Sequence, residues 1–208
     1  MRVIAGSYRS RRLAAPSGNG TRPTSDRLRE TLFNILASRI SGCRFADLYA
    51  GTGAVGIEAI SRGAAHVLFS ERAAPALAAL RANLKSLRIA SGFTVEERGT
   101  GALLERLAKR SAEAVRPSEL LDLIYLDPPW EAEAEYAATL QLLGSARGAQ
   151  MLSATALVIA EHSSKSLLAI RYGSLDQTRT LKQGDAALTF YAVPSPASES
   201  AAHVRAGA

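Results

Sequence analysis

The sequence has one cysteine, Cys43, in 208 residues. That excludes an intramolecular disulfide framework and any cysteine-rich metal site. Its three histidines, His66, His162 and His203, lie far apart and suggest no metal site. No apolar run approaches the roughly 18 residues that a membrane span needs. The opening MRVIAGSYRSRR lacks the long apolar stretch of a secretory signal. Internal repeats are absent too. Acidic residues are scarce at the start: the first 30 residues carry Arg2, Arg9, Arg11, Arg12, Arg22, Arg27 and Arg29 against only Asp26 and Glu30, which supplies nearly all of the net charge of +6. A local arginine cluster beside a near-neutral remainder fits a polyanion such as phosphate, although a solvated basic arm has the same composition. What is present, 47% hydrophobic and 21% charged residues, describes a soluble, cytoplasmic, basic α/β or mixed domain with a sizeable core.

Residues 2–14 alternate weakly around Gly6 and predict a short hairpin or edge strand. Turn-rich PSGNGTRPT over 16–24 predicts a hinge, after which Thr24 or Ser25 caps a helix with Leu28, Leu32, Ile35 and Leu36 on one face. From residue 45 strands alternate with helices: strands over 45–50, 66–71, 93–97, 121–127 and 155–162, with helices between them. That alternation implies a parallel sheet. Residues 179–193 read as two strands around a Gln-Gly-Asp turn, so the last strand runs antiparallel, and 194–208 lack periodicity and read as disordered.

Two motifs carry chemistry. Gly51-Thr52-Gly53-Ala54-Val55-Gly56 follows a strand and opens a helix, with Glu71 twenty residues after Gly51. Such a loop turns sharply, lets backbone approach a ligand, and offers helix N–H groups, while an acid ending the second strand can accept from ribose hydroxyls. The loop alone does not separate NAD from S-adenosylmethionine. Asp47 favours the latter, since a carboxylate near the loop repels a diphosphate and tolerates a sulfonium with its ammonium group; the same Asp could equally be satisfied by the loop's own N–H groups. The second motif is Asp127-Pro128-Pro129-Trp130, ending the fourth strand. Strand ends face one crevice in a doubly wound sheet. The prolines fix the backbone and leave the Pro128 carbonyl free, so that it and Asp127 form two acceptors for an NH₂ group. Two acceptors aim the nitrogen lone pair of a nucleobase amine at a methyl donor, and Trp130 offers a stacking face. Cys43 precedes the first strand, at the wrong end for the crevice, and reads as core; Glu161-His162 reads as a satisfied strand end.

These residues resemble amino-group methyltransferases that use S-adenosylmethionine. RVIAGSYRSRRL, TRPTSDRLRETLFNIL and AGTGAVGIEAISRGA further resemble the RsmD-type family of bacterial 16S rRNA (guanine-N2)-methyltransferases, over about residues 2–192. The resemblance implies a class I methyltransferase fold, Rossmann-like, with a seven-stranded mostly parallel sheet, an antiparallel last strand and a small N-terminal hairpin. It implies a basic extension over 1–24, a methyltransferase domain over 25–193 and a tail over 194–208. Asp47, Tyr49, Ala50, Gly51 and Gly53 would border the methionine part of the cofactor, Glu71 would hold the ribose, and Thr100 would lie near the adenine. Asp127, Pro128, Pro129 and Trp130 would form the catalytic tetrad, with Trp130 where the family commonly has Phe. Arg9, Arg11, Arg12 and Arg22 would contact rRNA phosphates. The partner would be 16S rRNA or a small-subunit particle, and the enzyme a monomer without metal. Competing readings are an amino-group methyltransferase for adenine, cytosine or protein glutamine, an NAD(P)-dependent oxidoreductase, and a non-catalytic RNA-binding assembly factor.

Overall fold

The computed structural model describes residues 1–15, 24–112 and 119–194. The predicted hinge over 16–23 with Arg22, and the tail from 195 with His203, lie outside them. Five strands, β1 (Arg44–Leu48), β2 (His66–Ser70), β3 (Phe93–Glu96), β4 (Leu121–Leu126) and β5 (Leu152–Ser163), run parallel. They are followed by β6 (Arg171–Tyr172), β7 (Leu175–Gln183) and β8 (Ala186–Ala192), in the order β3-β2-β1-β4-β5-β8-β7-β6. β8 is antiparallel to both of its neighbours, β5 and β7. The expected antiparallel last strand is therefore present, but among the described residues the sheet has eight strands instead of seven. The extra one is the two-residue β6, which Gly173, with φ of 59°, turns back onto β7. A pair that short carries no alternation to read.

The β1, β2 and β4 segments are nearly continuous apolar runs because helices cover both faces of this part of the sheet. One face packs Phe45, Phe69, Leu123 and Tyr125 against α1 (Asp26–Ile35), α2 (Ala54–Ser61) and α3 (Ala74–Ser86). The other packs Ala46, Leu48, Ile124 and Leu126 against α4 (Thr100–Ala112) and α5 (Glu133–Leu143), with the single turn α6 (Ala146–Ala149) leading into β5. Among the described residues no helix is long and apolar enough to cross a membrane. The chain order reverses between β1 and β4, so the carboxyl ends of these strands flank the position where such sheets bind ligands.

Ser25, not Thr24, caps α1: its hydroxyl accepts from Leu28 N at 3.1 Å. The N-terminal segment is hairpin-like but holds a single antiparallel bridge, Arg2 with Arg12. It docks on α2 instead of forming a strand. Buried Glu58 accepts from Ile4 N at 2.7 Å and Ala5 N at 3.0 Å. Gly6 lies so close to α2 that a Cβ there would sit 1.9 Å from the Ser61 carbonyl oxygen. Val3 and Leu13 join the same apolar cluster as α1 and α2. Cys43 is a core residue, as expected, and burial pushes its thiol up to about 12.

Candidate active site

β1 ends at Leu48, two residues earlier than its composition suggests. Tyr49 takes a left-handed conformation (φ 68°), which no strand continues, and Gly51 and Gly53 follow with φ of 54° and 78°. Ala50 N donates to Ser70 O at 2.8 Å and Gly53 N to Ala50 O at 2.7 Å, so the loop is a tight turn between β1 and α2. A Cβ at Gly56 would meet the Phe69 ring at 2.2 Å, whereas one at Gly51 would meet nothing within 4 Å. Gly56 thus serves helix–strand packing, and Gly51 borders open space above the strand tips.

Two carboxylates hold this turn through backbone N–H groups. Glu71 Oε2 accepts from Gly51 N at 2.8 Å, while its Oε1 accepts from Arg72 N at 2.8 Å and Ala73 N at 2.7 Å. A carboxylate has about four acceptor positions, so one remains for a ribose hydroxyl. Asp47, 1% exposed, lies beneath the loop and accepts from Gly56 N at 2.8 Å. Burial above all, with the Glu71 charge adding, pushes its carboxyl up to about 7 despite that bond. The loop therefore does satisfy Asp47. The ring of Tyr49 turns toward α5, its hydroxyl 3.0 Å from Thr139 Oγ1. Thr100 is buried at the start of α4, 3.4 Å from Ser70 Oγ at the end of β2.

Asp127 follows the last residue of β4, and Asp127 N approaches Leu48 O at 3.4 Å. By strand alternation it shares a face with Tyr125, which pairs with Asp47. Burial chiefly, then the Glu161 and Asp47 charges, hold its carboxyl well above the usual range. Pro128 is buried, Pro129 is exposed and its carbonyl accepts from Ala132 N at 2.8 Å, and Trp130 is half-buried. The Pro128 carbonyl is not free as expected. The Tyr136 hydroxyl lies 3.1 Å from it and 2.9 Å from Glu161 O. A phenol has one proton to donate, and a carbonyl oxygen has two lone pairs, so Pro128 keeps acceptor capacity.

The sequence reading gave Tyr125 and Asn83 no role here, took Glu161 as a satisfied strand end and offered Thr24 as a helix cap. Glu161, 4% exposed, stands at the tip of β5; its Oε2 accepts from the Thr24 hydroxyl at 3.0 Å and from the Tyr125 hydroxyl. Thr24 thus leaves helix capping to Ser25 and reaches the strand tips. Buried Asn83 of α3 accepts from Ala14 N at 2.7 Å and donates to Thr52 O at 3.0 Å, joining the N-terminal segment to the glycine loop. A lone Asn or Thr carries no signal for such a role; only the Gly-rich and Pro-rich positions do. His162 is a satisfied strand end, with Nε2 2.8 Å from Thr189 Oγ1 and Nδ1 2.8 Å from Ser163 O.

Arg9, Arg11 and Arg12 are exposed on the N-terminal segment; Arg11 donates to Ser86 O at 3.3 Å. Arg29, by contrast, is fully buried and donates to Asp26 Oδ1 at 2.9 Å and to Arg2 O. A polar cavity of about 490 Å³, lined by Arg2, Arg9, Arg27, Arg62, Asp26 and Glu30 among others, lies between the segment and α1. Among the described residues, none at the tips of β1, β2, β4 or β5 lines it.

A family model described as conserved hypothetical protein 95 matches residues 1–192. The "Putative rRNA methyltransferase YlbH" of Bacillus subtilis strain 168 is 35% identical over 191 residues, covering 92% of this chain and 98% of that protein. The ribosomal RNA small subunit methyltransferase D of Escherichia coli K12 is 34% identical over 130 residues, covering 62% of this chain and 60% of that protein. Among solved structures, "Putative methyltransferase yhhF" from Escherichia coli superposes with a TM-score of 0.74 at 30% identity, covering 93% of this chain and 99% of that one.

Proposed function

Because the chain belongs to the conserved hypothetical protein 95 family, we propose that it is an S-adenosylmethionine-dependent methyltransferase acting on the exocyclic N2 amine of a guanine in 16S rRNA. The observation that carries the chemistry is the junction of β1 and β4. There the open space at Gly51, the buried Asp47 and Asp127 lie at adjacent strand tips. The names of the aligned relatives, an rRNA methyltransferase and a ribosomal RNA small subunit methyltransferase, support the substrate. So does the arginine-rich segment. This reading takes residues 1–24 as the RNA-contacting extension and 25–193 as the methyltransferase domain, in a cytoplasmic, monomeric enzyme.

The residues present fit the cofactor. Gly51 leaves room for it, Glu71 keeps an acceptor for the ribose, and Asp47 supplies negative charge under a cationic ligand. Ala50, Gly53 and Tyr49 complete the loop, and Thr100 lies at the adenine side. When bound, the cofactor supplies an electrophilic methyl group on sulfonium sulfur. Asp127 and the Pro128 carbonyl accept the two amine hydrogens, which localises the nitrogen lone pair and aims it. Trp130 stacks on the base, which leaves its helix to reach the pocket, since a paired amine is inaccessible. Asp127 takes the proton that the methylated nitrogen sheds. Arg9, Arg11, Arg12 and Arg22 meet backbone phosphates.

Mass mapping of 16S rRNA from a strain lacking the chain tests the substrate: one guanine should lose its N2 methyl group and regain it on complementation. An unchanged guanine pattern would contradict it.

A further inference from the structure

β4 and β5 are parallel neighbours whose last paired residues are Leu126 and Ala160. The next residue on each is an acid, Asp127 on one and Glu161 on the other. Adjacent strands lie about 5 Å apart, and alternation puts both side chains on the same face. Glu161 is buried, and one of its oxygens takes two O–H donors, Thr24 and Tyr125. Hydrogen bonds of that kind hold a carboxylate in its charged form. Two carboxylates this close give up their protons in two separated steps. The hydroxyl donors favour the charge on Glu161 in the first step, so the second step falls to Asp127, whose carboxylate above that step is the stronger base.

We propose that Glu161 is a positioning residue for Asp127: it fixes a negative charge at the neighbouring strand tip, and that charge makes Asp127 the acceptor of the proton leaving the methylated amine. The proposal rests on the reading above that Asp127 meets the amine. In this step an N–H bond of the positively charged nitrogen breaks. Its electron pair returns to nitrogen as a lone pair, and the proton bonds to an Asp127 carboxylate oxygen, leaving a neutral acid. An isolated carboxylate would hold that proton less firmly. Thr24 gives the device a second property. It sits next to Ser25, the N-cap of α1, so the start of α1 and the charge on Glu161 are joined by one hydrogen bond.

Among the described residues, the titratable groups facing Asp127 are Tyr125 on its own strand, Glu161 on β5, Asp47 on β1 and Tyr136 on α5. Of these only the two acids ionise below neutrality under ordinary conditions. A Glu161 with a purely structural role is replaceable by Gln, whose carbonyl oxygen can accept the same two hydrogen bonds.

The test is a carbon-13 NMR titration of the Asp127 carboxyl in the whole, ligand-free protein, beside the pH profile of methyl transfer to unmodified small subunits. Glu161→Gln is expected to lower the Asp127 midpoint by about one pH unit and to move the acid limb of the transfer profile the same way. An Asp127 midpoint that stays in place in a folded Glu161→Gln protein overturns the proposal. Should that variant fail to fold, Tyr125→Phe keeps the charge and removes one donor. The shared proton then moves from Asp127 toward Glu161, and an unmoved Asp127 curve again overturns it. Asp127→Ala, which removes the acceptor altogether, separates this inference from the reading beneath it. Normal transfer by Asp127→Ala contradicts the reading itself, whereas lost transfer in Asp127→Ala with an unmoved titration in Glu161→Gln contradicts only the role of Glu161.

Discussion

The two sides of the crevice hold their acids differently. On the β1–β2 side, Glu71 and Asp47 are satisfied by backbone N–H groups of Gly51, Arg72, Ala73 and Gly56. On the β4–β5 side, Glu161 is satisfied by side-chain hydroxyls, one of them from Thr24 outside the sheet. Backbone donors are fixed by the turn and the helix that carry them, so the first side is organised before any ligand arrives. The second side's donors are side chains brought together from β4 and from Thr24, far away in sequence, so it depends on rotamers and tertiary packing. Binding of the cofactor and transfer to the base should therefore be separable by mutation.

Asp127→Asn should break that comparison most sharply. It leaves the β1–β2 side intact, so cofactor affinity by calorimetry should change by less than ~3-fold, while transfer falls by ~100-fold or more. Glu71→Gln should do the reverse. An amide can accept from Gly51 N at only one atom and loses the charge that holds three N–H groups, so cofactor affinity should fall by roughly 10-fold or more.

Asp47→Asn sharpens the electrostatic half. The Asp47 carboxyl is raised to about 7 from an ordinary value of 3.8. The folded protein therefore binds more protons than the unfolded chain between those values, and ligand-free stability falls as pH rises through that window and levels above it. Asn keeps an oxygen for Gly56 N and removes the buried charge, so the ligand-free protein should melt ~3 °C higher at pH 8. Cofactor binding should tighten as pH rises through about 7 in the parent protein, since a cation favours the ionised acid. That trend should vanish in Asp47→Asn. The smallest effect concerns the arm. Changing Arg9, Arg11 and Arg12 to Ala should weaken RNA binding and reduce its salt slope by up to ~3, with cofactor affinity unmoved.

The same contrast explains what could be read from the sequence. The β1–β2 side was legible because backbone geometry leaves its mark in composition: Gly51 and Gly53 at positive φ, Gly56 against Phe69, and an acid at the end of the next strand. Asp127 was legible through the prolines that follow it. Glu161, Tyr125 and Thr24 were not, because their meeting depends on the register of β4 against β5 and on a segment 137 positions from Glu161. The parallel core was legible from alternating apolar runs. β6 was not, since two residues have no period. The N-terminal hairpin is legible as a turn around Gly6, but its docking on Glu58 of α2 arises from a pairing 54 positions apart.

The most direct test is transfer of a labelled methyl group from S-adenosylmethionine to unmodified small ribosomal subunits by the parent protein and by Asp127→Asn, with the labelled base identified. The account predicts label on the N2 amine of one guanine with the parent and ~100-fold less or lower with the variant. Label on a different atom, or equal label from both proteins, would contradict it.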